Sequence, residues 1–315
     1  VDDLVHEELL ESIKERLEFF TVDGILDSGM LEQLTEEAWY SPFPQFQTTE
    51  RPDRAAQELL NGKAVLLCDN SPVALVLPGA FNSFMESSED WYNRFEMTSF
   101  LRVLRYLAMA VATLLPGLYL AVIRFHTQVL PANLILSFAQ AREGVPFSSV
   151  VELVFLELSF ELIREAGVRI PGELGNAIGI VGGLIIGQAA VEANLVSPVV
   201  VIIVALTALG SLAIPNEEFA SAFRLLKYVF LFLGGYLGIF GIVLGLYLTA
   251  AHLAGLLSFG VPYLVPFVKK NGESETGGRI LRLPFRKRKF RPLYARSDQK
   301  RRLRTLDWRQ KGKDV

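Results

Sequence analysis

The sequence predicts an α-helical integral membrane protein with a small α/β soluble N-terminal region and a basic cytoplasmic tail. Three observations carry this reading. The chain of 315 residues is 51% hydrophobic, with a mean hydropathy of +0.33. That is apolar for a soluble domain and excludes disorder as the dominant state, which needs low hydrophobicity and high net charge. Second, the net charge of −3 conceals a strong segregation. Residues 1–105 carry 8 Lys/Arg against 20 Asp/Glu, residues 106–268 carry 6 against 9, and residues 269–315 carry 17 against 5. Third, the middle region holds four long uncharged runs. An acidic head, an almost uncharged centre and a basic tail are the pattern of a membrane protein with two wet ends.

The head, residues 1–105, reads as α/β. Leu4, Val5, Leu9, Leu10, Ile13 and Leu17 recur at helical spacing, so 4–19 is expected to be an amphipathic helix. Asp27 or Ser28 can cap a second helix through Leu34. Thr49 or Asp53 can open a third across Ala55–Leu60, ended by Asn61-Gly62. Ala64–Cys68 and Val73–Leu77 are short apolar runs joined by Asp-Asn-Ser-Pro, a hairpin signal, and Cys68 is read as a buried strand residue. A charged, aromatic segment over 89–105 leads into the membrane region.

The transmembrane region, 106–268, contains runs near 106–123, 174–191, 195–214 and 228–257. The first, bracketed by Arg105 and Arg124, would be about 27 Å long as a helix, close to the hydrocarbon thickness. Pro116 predicts a kink within it without forbidding a span. Ser197 and Pro198 suit the start of the third run and Pro215 its end. The last would be about 45 Å long if straight, so it must tilt or protrude. None resembles a signal peptide, since the first starts about a hundred residues into the chain. Buried helices of a soluble core are the bland alternative, but so many uncharged runs are hard to bury in a chain this short.

Between the first two runs, a segment over 146–166 is apolar yet carries Glu152, Glu157, Glu161, Arg164 and Glu165. At helical spacing Glu157, Glu161 and Glu165 fall at i, i+4 and i+8 and share one face, with Arg164 placed to pair with Glu161. Such a helix either lies flat at the interface with its polar edge in water or lines a polar pathway in an assembly. Gln188 and Glu192, at the end of the second run, are further candidates for that pathway. Arg142 and Arg169 are the other cations near the ridge in sequence. Two runs also carry regular glycine stripes: Gly175, Gly179, Gly183 and Gly187 in the second, and Gly234, Gly238, Gly241 and Gly245 in the last. Stripes of this kind let helix backbones approach closely, within or between subunits.

A single cysteine excludes a disulfide framework and a cysteine metal site within one chain. His6, His126 and His252 are too dispersed for a histidine metal site. No phosphate loop, nucleophile elbow or dinucleotide fingerprint is present. His126 reads as an interfacial or packed residue. No enzyme, cofactor or metal is therefore expected. The tail resembles a nucleic-acid patch by composition. Its place directly after the last run points instead to the cytoplasm and to anionic lipid.

Several collinear strings resemble the GerA spore germination family, specifically the A subunit of germinant receptors. They are SPFPQFQTTERPDRAAQELLNGK (Ser41–Lys63), SSEDWYNR (Ser87–Arg94), LIREAGVRIPGELG (Leu162–Gly175), IVGGLIIGQAAVEANLVSP (Ile180–Pro198) and SFGVPYLVPF (Ser258–Phe267). The resemblance covers about residues 20–295, specifies a family rather than a reaction, and carries over no catalytic residue. It implies a protein of the endospore inner membrane that works with a transporter-like B subunit and a lipoprotein C subunit. It also implies self-association into a cation channel opened by germinant. A self-contained transporter or a structural scaffold is the alternative, although no repeated half marks a transporter. Family members usually have a larger N-terminal domain, and this chain is expected to open near its end. The strongly basic tail leaves a stage V sporulation paralogue as the other member type.

Overall fold

The computed structural model describes residues 4–168, 174–265, 267 and 280–284, with backbone only for 174–181 and 184. Most of the basic tail and Arg169 lie outside the described residues, as do the surroundings of Gly175 and Gly179. The chain forms two compact units. The first comprises 1–106, 215–222 and 250–315; the second comprises 107–214 and 223–249.

In the first unit, α1 (Glu7–Glu18) and α2 (Ser28–Thr35) precede a three-stranded antiparallel sheet. Leu9 and Ile13 of α1 are buried, as the periodicity predicts. The expected hairpin is present as β2 (Ala64–Leu67) and β3 (Ala74–Leu77), with Val65 opposite Val76. Asn70 takes φ 68° in the connection, a left-handed conformation that asparagine tolerates. The strand β1 (Gln47–Thr49), polar and only 3 residues long, pairs with the other edge of β3 and was not foreseen. β3 is thus the central strand, and all of its residues are buried. Cys68 follows β2 rather than lying in it and is only half-buried, which corrects the buried-strand reading. The helix α3 (Pro52–Leu60) starts three residues earlier than its apolar run because Pro52 occupies the first turn.

Two cores hold this unit. Val5, Leu9, Ile13, Leu31, Phe46 and Phe259 close over one face of the sheet. A second, aromatic cluster brings Phe43, Phe84 and Tyr263 around Phe219, with Phe84 and Phe219 stacked at 5.1 Å. Short α4 (Phe81–Phe84) and the strands β4 (Leu257–Ser258) and β5 (Val261–Pro262) complete it. The first turns of α5 (Phe95–Phe125) also belong here. Asp90 accepts from both Arg102 (3.0 Å) and Arg105 (2.8 Å) at that point.

The second unit is helical. After α5 come α6 (Ala132–Ala141), α7 (Ser149–Val168), α8 (Leu174–Glu192), α9 (Pro198–Leu212) and α10 (Glu217–Gly255). The expected runs at 106–123, 174–191 and 195–214 correspond to α5, α8 and α9, and the acidic segment to α7. α6 was not anticipated. Within α10 the backbone at Gly238 leaves helical geometry, with φ 67° and ψ −146°. The chain then folds back, so that Gly245 lies against Phe230 and Gly241 against the carbonyl of Leu233. The run at 228–257 is therefore not one tilted span but a helical hairpin with arms 217–237 and 239–255. A long straight helix is replaced by two arms of about 32 and 26 Å.

From α7 through α8 and α9 to the first arm of α10, the helices of this unit alternate in direction along the chain. Gly210 near the end of α9 packs against Ala108 and Ala112 near the start of the unit's share of α5. Gly117 of α5 meets Phe230 and Gly234 of α10, and further along Phe125 meets Gly238, so α5 and the first arm run parallel. A Cβ at Gly234 would lie 2.2 Å from the Gly117 carbonyl oxygen, so this crossing demands glycine on both helices. Gly117 was not singled out from the sequence, because it belongs to no stripe. Tyr119, Leu120, Leu153, Leu156, Val200 and Leu231 form the bundle core. α5 and α10 are each long and apolar enough to cross a membrane.

Candidate functional site

α7 organises the charge of the helical unit. Its sequence puts Leu153 and Leu156, both fully buried, into the bundle core, while the acidic positions turn toward α9 and the first arm of α10. Near its start, Glu152 is buried and accepts from Arg142 (2.9 Å) and from the backbone N–H of Ser197 (2.8 Å). The second bond explains how α9 begins: Ser197 occupies the N-cap without a side-chain cap bond. The carboxylate from the neighbouring helix takes one of the N–H groups left over at that end.

One and a half turns further on, Glu157 Oε2 receives Lys227 Nζ at 2.6 Å, with side-chain exposures of 2% and 6%. The ammonium also lies 4.9 Å from the centre of the Tyr228 ring. Glu157 Oε1 and the Tyr228 hydroxyl are buried without a hydrogen-bond partner among the described residues. One turn later Glu161 meets Arg164 at 3.2 Å and Arg224 at 3.6 Å, and Arg164 donates to the Ser211 hydroxyl at 3.0 Å. This level is more open, with 36% of the Glu161 side chain exposed. The ridge thus grades from dry at Glu157 to wet at Glu165, which is exposed.

Glu157, Glu161 and Arg164 are therefore brought together, and Glu165 continues their face outward. Gln188 and Glu192 are exposed and bond to each other at 3.1 Å on the last turn of α8. Gly183 lies against the Phe160 ring and Gly187 against Val201, so the described part of the α8 stripe faces α7 and α9 of the same chain. In α10, Gly234 meets α5, Gly238 forms the turn, and Gly241 and Gly245 meet the first arm. Sequence reasoning missed Lys227 and Arg224. They lie three residues apart just before the uncharged run, where they read as flanking charges. Their shared helix face was the available signal.

Isolated carboxylates in this setting would be expensive. Transferring a charge from water costs several kcal/mol, and losing one partner of a buried pair costs about 3–5 kcal/mol. The arrangement can hold cations: one is already present as the lysine ammonium. Among the described residues no cluster of three or more His, Cys, Asp or Glu side chains could bind a metal ion.

The profile of the family described as "Bacillus/Clostridium GerA spore germination protein" matches residues 1–294. The chain belongs to the GerA spore germination family. Among its GerA relatives, Spore germination protein KA of Bacillus subtilis is 42% identical over 84% of this chain and 49% of its own length. Spore germination protein GerLA of Bacillus cereus is 40% identical over 93% of this chain and 60% of its own. A protein of Bacillus subtilis described as an uncharacterized membrane protein, YfkQ, is 44% identical over 84% of this chain and 52% of its own. The chain thus spans about half to three-fifths of the length of these relatives. No solved structure matches it.

Proposed function

We propose that this GerA chain is the membrane A subunit of a spore germinant receptor and converts nutrient sensing into cation release by forming an oligomeric channel. Its partners are a transporter-like B subunit, a lipoprotein C subunit and further copies of itself. Its place is the spore inner membrane, with the basic tail against anionic lipid. The stage V sporulation paralogue remains the other member type.

The observation that carries the channel reading is the carboxylate ridge inside an apolar helical unit. Intramembrane acids that face a bundle interior mark ion pathways far more often than lipid contacts. Repeated around a symmetric oligomer, Glu157, Glu161 and Glu165 form stacked acidic rings, the device by which many pores favour cations. Gln188 and Glu192 are outer members of the same pathway. The described glycine faces hold the helices of each copy close together around the ridge.

One observation favours a purely structural scaffold instead: Glu157 and Glu161 are each neutralised within the chain. Potassium release from germinating spores carrying Glu157→Gln or Glu161→Gln decides between them, with protein level and assembly checked separately. The channel reading expects slowed release from both variants. Normal release from both supports the scaffold.

A further inference from the structure

Resting on the channel reading, we propose that Lys227 is a tethered counter-cation that occupies the Glu157 site in the closed state, and that conduction requires its ammonium to withdraw.

The Glu157–Lys227 pair differs from the rest of the network. Arg142, Arg164 and Arg224 bind their carboxylates at side-chain exposures of 22–27%, whereas Lys227 and Glu157 are buried together at 6% and 2%. A buried pair of this kind contributes little net stability over an apolar pair of equal volume. Its presence at the driest level of the ridge therefore calls for a role beyond fastening α7 to α10. The ammonium sits where a permeant cation would have to bind, in contact with the carboxylate and above an aromatic face, two groups that both attract cations. Glu157 Oε1, buried and without a partner among the described residues, gives the same carboxylate capacity to accept a second cation or its water.

The residue type fits a removable plug. Lysine is a compact, strongly hydrated point charge on a flexible stem, while arginine's planar fork locks onto carboxylates. Lys227 also has somewhere to go. Arg224, three residues and just under one helical turn before it, is 26% exposed, and Glu161 beside Arg224 is 36% exposed. The wetter level thus lies about 5 Å along the helix axis, within reach of a lysine stem, which can extend its charged head toward water. A withdrawal of the ammonium by about 5 Å toward this level would leave the Glu157 carboxylate open.

The test measures potassium release from dormant spores without nutrient, in strains whose receptor carries substitutions in this chain. Lys227→Gln is expected to leak at about tenfold or more above the parent, because removing the counter-cation shifts the closed–open balance. Glu157→Gln combined with Lys227→Gln should abolish that leak, since the cation site is lost with its plug. Lys227→Arg should stay dormant but release potassium more slowly after nutrient. A Lys227→Gln protein present at normal level and without a leak, alongside slowed release in Glu157→Gln, overturns the plug and leaves the channel. Normal release in Glu157→Gln overturns the plug, and normal release in Glu161→Gln as well overturns the channel with it. Should Lys227→Gln fail to accumulate, unchanged nutrient response in Lys227→Arg overturns the proposal on its own.

Discussion

Glu32 sits on α2 at 7% exposure, and among the described residues no hydrogen bond or ion pair reaches its carboxyl. Arg16, the cation of this region, binds Glu37 at 3.1 Å instead. Burial, then the charges of Glu218 and Glu36, push the Glu32 carboxyl up to about 9 from 4.5. The folded protein therefore holds a proton that the unfolded chain releases near 4.5. Between those values the unfolded state binds fewer protons, so this group's contribution to stability falls as pH rises, by up to about 1.4 kcal/mol per pH unit. Glu32→Gln should flatten that slope and stabilise the protein above neutral pH. Denaturant unfolding of detergent-solubilised protein at pH 6 and pH 9 checks it; parallel slopes in parent and variant would refute it. The opposite case lies nearby. Lys63 is fully buried, with Nζ 3.2 Å from Glu58 and 3.0 Å from the Ser83 hydroxyl. Burial pushes the Glu58 carboxyl up, but Lys63 and Arg54 outweigh it and hold it below its usual range. Lys63→Met should cost about 3–5 kcal/mol by stranding that carboxylate, and adding Glu58→Leu should recover most of the loss. Thermal unfolding of the two variants is the measure.

At the scale of elements, the decisive feature is the turn at Gly238. Its φ of 67° with ψ −146° belongs to a region that only glycine visits without strain. Gly238→Ala should therefore destabilise the hairpin by about 1–3 kcal/mol, read as a lower midpoint of unfolding in detergent. The hairpin also has a topological signature. Glu217 and Ala254, at its two feet, are exposed. Single cysteines there should react from the same side of the membrane, whereas one long span would separate them. The sequence made most helices legible because apolar period and run length are local properties; α1, α8 and α9 follow them closely, while α5 begins eleven residues before its uncharged run. It could not reveal the reversal in α10. Gly238 read as one member of a stripe, and nothing local distinguishes a glycine that packs from one that turns. β1 was illegible for a related reason: Gln47, Thr48 and Thr49 owe their strand to the edge of β3, not to an apolar pattern of their own. The ridge itself was legible as i, i+4, i+8 spacing, but its partners were not, since Lys227 lies 70 residues from Glu157.

For the whole molecule, the count of crossings decides where the wet ends lie. Four spans were expected from hydropathy, with both ends on the cytoplasmic side. Within the helical unit, α7 also runs the length of the bundle, from Glu152 beside Ser197 to Arg164 beside Ser211. Counting α7 alone would place the ends on opposite faces. On the proposed membrane-subunit reading the second arm of α10 restores the balance: α5, α7, α8, α9 and the two arms would make an even number of passes. The other unit supplies a second argument through residues 280–284, the described part of the tail. Arg282 donates to the carbonyls of Trp91 and Asn93, and its backbone N–H meets Ser99 at 3.1 Å, so residues 280–284 are fixed to the segment where α5 begins. Residues 280–284 and the start of α5 thus belong to one unit, and on the proposed function the excess of basic residues in the tail sequence argues for a cytoplasmic position of that end. Cysteines at Leu26 and Leu281, exposed at 84% and 56%, introduced singly with Cys68→Ser, should both be labelled from the cytoplasmic face and protected from an impermeant reagent outside. Labelling of the two sites from opposite faces would remove one of the crossings, and with it the placement of the Glu157 carboxylate inside a continuous helical bundle.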